Sequence, residues 1–205
     1  MKLKNRGLPE IMALPDYLRK RKGFLELRRN KAWISWNPYH SKLSAYVLAN
    51  GPGWPFEEKS NILYLGAAEG NTVSFLSHIC HGGRITGVDI SSVSMAELLV
   101  LAEKRENIIP FLGDAHFPKN YLLHAGIPDI LYQDIAQRDQ VEIFIRNYDF
   151  FEPKCGFLML KSRSAPGEDS KVFEKSEEKM KSRFKKVVPT DISKWAKGHM
   201  AYYVE

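Results

Sequence analysis

The sequence predicts an α/β fold, a doubly wound, Rossmann-like sheet of mostly parallel strands. Three observations predict it. Short, nearly continuous apolar runs at 62–65, 84–88, 107–112, 129–133 and 156–161 alternate with stretches of helical periodicity. A glycine turn, Gly66-Ala67-Ala68-Glu69-Gly70, joins the first run to the first helical stretch. Acids then stand at the ends of successive runs, at Asp89, Asp114 and Asp134. Apolar runs of this kind suit strands buried on both faces, and repeated strand–helix pairs close as right-handed crossovers.

The N-terminal stretch comes first. Residues 1–55 are expected to form a small basic subdomain, with the turn-rich "NGPGWP" at 50–55 as its junction to a main domain over 56–205. Residues 1–31 hold ten basic residues against three acids, a surplus larger than the net charge of +6 on the whole chain. Such a block attracts polyanions by counterion release. Tyr17, Phe24, Trp33, Trp36 and Tyr39 interleave with the charges. They predict an ordered, partly packed region, some of these rings forming a small core.

Helices are expected over 72–80, 93–105, 117–125, 138–151 and 169–184. In the second, Met95, Leu98, Leu99 and Ala102 recur at helical spacing. Gly82-Gly83 stops the first, and Pro153 follows the fourth. The tail alternates into two extended runs within 185–204, which predict an antiparallel C-terminal edge. Apolar content of 44% in 205 residues is that of an ordinary globular chain. No apolar run reaches the length of a membrane span, and the lysine-rich start lacks a signal-peptide core, so a cytoplasmic protein without membrane contact is expected. Cys80 and Cys155 have neither metal nor disulfide-framework spacing. His78-Ile79-Cys80-His81 reads as a helix end, and no metal site is expected.

In a sheet of this kind the ligand lies beyond the carboxyl ends of the strands, beside the first of them. Gly66 and Gly70 allow a tight turn and a close backbone approach, and Thr72 offers a hydroxyl at the helix start. The dinucleotide fingerprint G-x-G-x-x-G is absent: Ala68 takes the middle glycine's place and Glu69 follows it. A diphosphate at the helix N-terminus would meet that carboxylate. S-adenosylmethionine (SAM), with a sulfonium and no phosphate, fits better. Asp89 then accepts from the ribose diol, and Asp114 beside Ala115 meets the adenine. "DILYQDIAQRDQ" brings Asp134 to the cleft, and "GFLMLKSRS" brings Lys161 to its rim. A lysine ending an apolar strand needs a partner. Asp134 is the expected one, either as a structural ion pair or as a proton-handling pair beside a methyl donor.

Taken together, "NILYLGAAEGNTVS", "ITGVDIS", "NIIPFLGDA", "DILYQDIAQRDQ", "LKSRS" and "WNPYHSKLSA" resemble the fibrillarin family in its archaeal form. The resemblance runs from about Trp36 to the C-terminus. It implies a SAM-dependent methyltransferase domain acting on ribose 2′-hydroxyls of rRNA, or tRNA, directed by box C/D guide RNA. It implies a Nop5-type scaffold and, indirectly, an L7Ae-type RNA-binding protein as partners. It implies Lys42, Asp134, Lys161 and His199 as the catalytic group. The implied cofactor contacts are Ala68, Thr72, Asp89, Asp114, Ala115, Asp134 and Gln137. This chain departs from the family pattern at Glu69 and Asn71 in the glycine loop, at Asp89, at Gln133, and at Gly198 before His199. A guide-independent RNA methyltransferase and a catalytically silent RNA-binding scaffold subunit stay open as alternatives.

Overall fold

The computed structural model describes residues 13–162 and 168–205. Lys2, Lys4 and Arg6 of the basic block, and Arg163 and Ser164 of "LKSRS", lie outside the described residues. Seven strands make the main sheet: β4 (Ile62–Leu65), β5 (Ile85–Asp89), β6 (Ile108–Leu112), β7 (Ile130–Gln133), β8 (Cys155–Lys161), β9 (Val187–Asp191) and β10 (His199–Val204). Their order is β6-β5-β4-β7-β8-β10-β9. β4 to β8 run parallel, and β10 is antiparallel to both β8 and β9. The order reverses at β4, which lies between β5 and β7, so the ends of these strands open a crevice there.

Side chains along each strand alternate between two cores. Ile62, Tyr64, Ile85, Ile130 and Tyr132 enter one; Leu63, Leu65, Val88 and Leu131 enter the other. Both faces are covered by helices, which is why the strand sequences are apolar throughout. The crossover helices are α2 (Asn71–Ile79), α3 (Ser92–Ala102), α4 (Leu122–Ala125), α5 (Gln140–Phe151) and α6 (Asp169–Lys181). The expected helix over 117–125 is instead a 3-10 turn at Pro118–Tyr121 followed by the single turn of α4. Pro118 takes the first position of that 3-10 turn, where no N–H is needed. As expected, the His78–His81 stretch ends α2, with Cys80 as its C-cap.

The N-terminal segment folds as an antiparallel meander, β1 (Leu18–Arg21), β2 (Phe24–Arg29) and β3 (Ala32–Trp36), followed by α1 (Lys42–Leu48). Its apolar side chains Leu18, Leu25, Leu27 and Trp36 belong to the same cluster as Ile62 and Tyr64. Trp36 is fully buried and stacks on Phe75 of α2 at 4.6 Å. Tyr39, by contrast, is exposed, and Trp33 carries the Arg19 guanidinium 4.0 Å above its ring. This packing sets α1, and with it Lys42, against the crevice. No helix among the described residues is long and apolar enough to cross a membrane.

Candidate active site

The turn after β4 is dictated by Gly66. Its φ of +77° is left-handed, and a Cβ there would lie 2.4 Å from the Asp134 carbonyl oxygen. Glycine alone lets the two strand ends come this close, with Gly66 N–H donating to Val88 O (2.8 Å) and Asp134 N–H donating to Leu65 O (2.9 Å). The result is a cavity of about 260 Å³ beyond β4, β5, β6 and β7. Gly66, Ala68, Asp89, Asp114, Ala115, Asp134 and Gln137 all line it. Gly70 and Thr72 are not in its wall. A Cβ on Gly70 would strike Leu98 and Leu101 of α3, and the buried Thr72 hydroxyl is 2.9 Å from Ser41 Oγ. Gly70 serves the packing of α2 on α3, and Thr72 joins α2 to the start of α1.

Each lining carboxylate is held in place. Asp89 accepts from Ala68 N–H and from Ser91 N–H, both at 2.8 Å. Asp114 accepts from His116 N–H at 2.9 Å and meets His116 Nδ1 at 2.6 Å. The other ring nitrogen of His116, Nε2, meets Asp139 Oδ2 at 2.7 Å. Both ring nitrogens can donate only in the imidazolium. Its hydrogen bonds to Asp139 and then Asp114 raise the His116 pKa. Desolvation works against the Asp114 carboxylate, yet the backbone N–H and ring of His116 hold it below the usual range. His116 thus ties the loop after β6 to the loop before α5, the two walls of the cavity. Composition and motif spacing give no sign of this clamp; a histidine two residues after the strand-end acid was the available signal.

Lys42 Nζ donates to Asp134 Oδ2 at 2.7 Å, with both side chains mostly buried. The expected Asp134–Lys161 pair is corrected by this contact. β7 and β8 are level at Gln133 and Leu158, so β8 carries Lys161 past the end of β7 and into solvent. Lys161 stands opposite His199 in the β8–β10 ladder, and its backbone is gripped by buried Gln140. Gln140 Nε2 donates to Lys161 O (2.8 Å), and Lys161 N–H donates to Gln140 Oε1 (3.0 Å). Fully buried Gln133 donates in turn to Gln140 O at 2.6 Å.

His199 is 9% exposed, and its Nδ1 donates to the Lys197 carbonyl at 2.9 Å. A carbonyl only accepts, so Nδ1 carries the hydrogen, and in the neutral ring Nε2 is left as an acceptor. Burial lowers its pKa, the Lys197 hydrogen bond and Asp134 oppose this, and the charges of Lys42 and Lys161 add to the lowering. The fold therefore gathers Lys42, Lys161 and His199 on the side of Asp134, which alone of the four lines the cavity. Gly198, with φ of +69°, makes the bend before His199, and its carbonyl accepts from Ser162 N–H at 2.9 Å.

The residues present fit SAM. Three wall carboxylates, Asp89, Asp114 and Asp134, disfavour a diphosphate and suit a cationic ligand, and the glycine turn leaves room for close backbone contact. The fibrillarin family profile matches residues 24–205. A "Fibrillarin-like rRNA/tRNA 2'-O-methyltransferase" of Thermoplasma acidophilum is 42% identical over 83% of this chain and 74% of its own length. A protein of the same name from Thermoplasma volcanium is 43% identical over 69% of this chain, which spans 64% of that relative's length. Among solved structures, a fibrillarin/Nop5p complex superposes with a TM-score of 0.83 at 31% identity, covering 92% of this chain and 96% of the other. Aeropyrum pernix fibrillarin with natively bound SAM gives 0.75 at 32% identity, covering 91% and 84%. The chain belongs to the fibrillarin family of SAM-dependent methyltransferases.

Proposed function

We propose that this chain transfers a methyl group from SAM to ribose 2′-hydroxyls of rRNA or tRNA, directed by a box C/D guide RNA within a ribonucleoprotein. The observation that carries the proposal is the Lys42–Asp134 pair in the wall of an acid-lined cavity at the sheet's switch point. When bound, SAM supplies an electrophilic methyl on a positively charged sulfur. Asp89 takes the ribose diol, Asp114 and Ala115 the adenine, and Gly66, Ala68 and Gln137 line the rest. Asp134 would accept the hydrogen of the incoming hydroxyl as its oxygen bonds the methyl carbon, the S–CH3 bond breaking with its electron pair left on sulfur. Lys42 orients that carboxylate, and exposed Lys161 holds the nearby RNA phosphate. His199, neutral because burial lowers its pKa, adds an acceptor without adding charge.

The relatives' names support the substrate, and the solved complex supports a Nop5-type scaffold as partner. An L7Ae-type protein would join through the RNA. Phe117, Leu122, Leu123 and Ile127 form an exposed apolar face suited to the scaffold, Leu123 being 91% exposed. The test is methyl transfer by the chain alone against the chain with scaffold and guide. Activity only in the particle supports guide direction. Transfer by the chain alone, with its own sequence preference, overturns guide direction in favour of a guide-independent enzyme.

A further inference from the structure

α2 begins just behind the wall of the cofactor cavity and ends, nine residues later, about 14 Å away at 1.5 Å per residue. At that far pole a second cleft opens. His78 and His81 from the end of α2, Arg84 ahead of β5, and Lys104 and Arg105 ahead of β6 line it. Arg28 shares the adjoining hollow with His78 and His81. Arg29 follows Arg28 at the end of β2, and after burial its charge lowers the Arg105 pKa and adds to the lowering at His78. Acids at this pole are Glu57, Glu58 and Glu106, of which Glu58 pairs with His81 at 3.4 Å.

Among the described residues, Arg28, Arg29, Lys104 and Arg105 form no ion pair. Lys42, Lys154, Lys179, Lys181, Arg183 and Lys186 each have a carboxylate partner. Distant chain segments therefore bring Arg28, Arg29, Lys104 and Arg105 to one pole, where Glu106 shares the cleft and the cations outnumber the acids. The wall of this cleft contains no apolar side chain, its other members being Ser77, Gly83, Glu106 and Asn107, whereas the adjoining hollow beside Arg28 is lined by Leu27, Trp54, Phe56 and Ile79. A protein partner would call for an apolar centre with charges at the rim. The Arg84 guanidinium is engaged by the Ala125 carbonyl at 3.3 Å, which leaves Lys104 and Arg105 as the cations of this polar wall that suit phosphates.

We propose that this cleft binds the phosphate backbone of RNA away from the target nucleotide, a second RNA contact at the opposite pole from the methyl-transfer cavity. The proposal rests on the reading of the chain as an RNA methyltransferase. The cleft makes RNA affinity partly independent of the catalytic cavity and strongly dependent on salt.

The test uses the full chain, and the chain assembled with scaffold and guide, carrying Arg29→Gln and Arg105→Gln together. A Lys181→Gln/Lys186→Gln variant removes the same charge from cations already paired with Glu177 and Glu205. RNA affinity is measured against salt concentration, with SAM affinity and thermal unfolding as controls. The expected result is RNA binding weaker by about tenfold, with the slope of log affinity on log salt smaller by about two, for the cleft variant only. SAM affinity stays at the wild-type value. RNA affinity and salt slope equal to wild type in the cleft variant overturn the proposal while leaving the enzyme reading intact. Loss of scaffold affinity with RNA binding unchanged also overturns it, in favour of an acidic protein surface. A wild-type chain that binds no RNA, alone or assembled, overturns both readings.

Discussion

Lys42 and Asp134 are 92 residues apart in the chain and 2.7 Å apart in the fold. One begins α1, capped by Ser41, and the other follows β7, so their meeting depends on the N-terminal meander packing against the main sheet. Asp134→Asn and Lys161→Ala are each expected to lower methyl transfer by about a hundredfold or more, while SAM binding stays measurable by calorimetry. Lys42→Ala should fall between wild type and Asp134→Asn. Rates near wild type in Asp134→Asn and Lys161→Ala would refute their catalytic role.

Gly66→Ala puts a methyl group where the Asp134 carbonyl stands, at a left-handed φ. The backbone term alone costs about 1–2 kcal/mol, and the collision adds to it. Thermal unfolding should shift down by several degrees, roughly 2–4 °C per kcal/mol for a chain of this size, with SAM binding lost. A variant that melts and binds SAM like wild type contradicts the account of the turn.

The His116 clamp predicts a pH dependence. Its pKa is raised in the fold, so its contribution to stability is complete below the unfolded value of about 6.5 and is lost as pH rises through the folded value. Asp114 and Asp139 are lowered, so their share is present above about 3.9 and is lost as pH falls through their folded values. The clamp is therefore strongest between these limits. His116→Asn should cost up to about 1 kcal/mol near pH 6, the half-exposed setting limiting the effect, and almost nothing at alkaline pH. A difference between the two proteins that does not change with pH means that His116 is uncharged in the fold.

Gln140 is buried and holds Lys161 from both its backbone groups. Gln140→Leu leaves the Lys161 N–H and carbonyl without their side-chain partners, while the Gln133 side chain keeps the Gln140 backbone carbonyl; the loss is about 1–3 kcal/mol. Methyl transfer should drop through misplacement of Lys161, while SAM affinity changes little. Equal losses of SAM affinity and transfer would point to general unfolding of the sheet edge instead.

Most of the main sheet was legible because strands buried on both faces leave continuous apolar runs. β4 through β8 begin and end within a residue or so of 62–65, 84–88, 107–112, 129–133 and 156–161. The meander β1–β3 was not, because its strands are short and charged on the solvent side. In "LRKR" only Leu18 is buried, and in β2 only Leu25 and Leu27 are. The wall acids Asp89, Asp114 and Asp134 could be read because each ends a strand. Lys42 and His199 come from the family resemblance, since each acquires its neighbours only through tertiary packing. The choice of Lys161 as Asp134's partner failed on register, which periodicity does not report. Gly70 and Thr72, expected as cofactor contacts, stand outside the cavity wall, where helix packing uses both.

The central claim is that the acceptor is a ribose 2′-hydroxyl, and one measurement tests it directly. Labelled methyl transfer from SAM is followed in the particle assembled with scaffold and guide. Two targets are compared, one all-ribose and the other carrying 2′-deoxy at the guide-matched nucleotide alone. The account predicts transfer to the first and none to the second. Equal labelling of both would contradict it, since the methyl would then be going to a base or to another site.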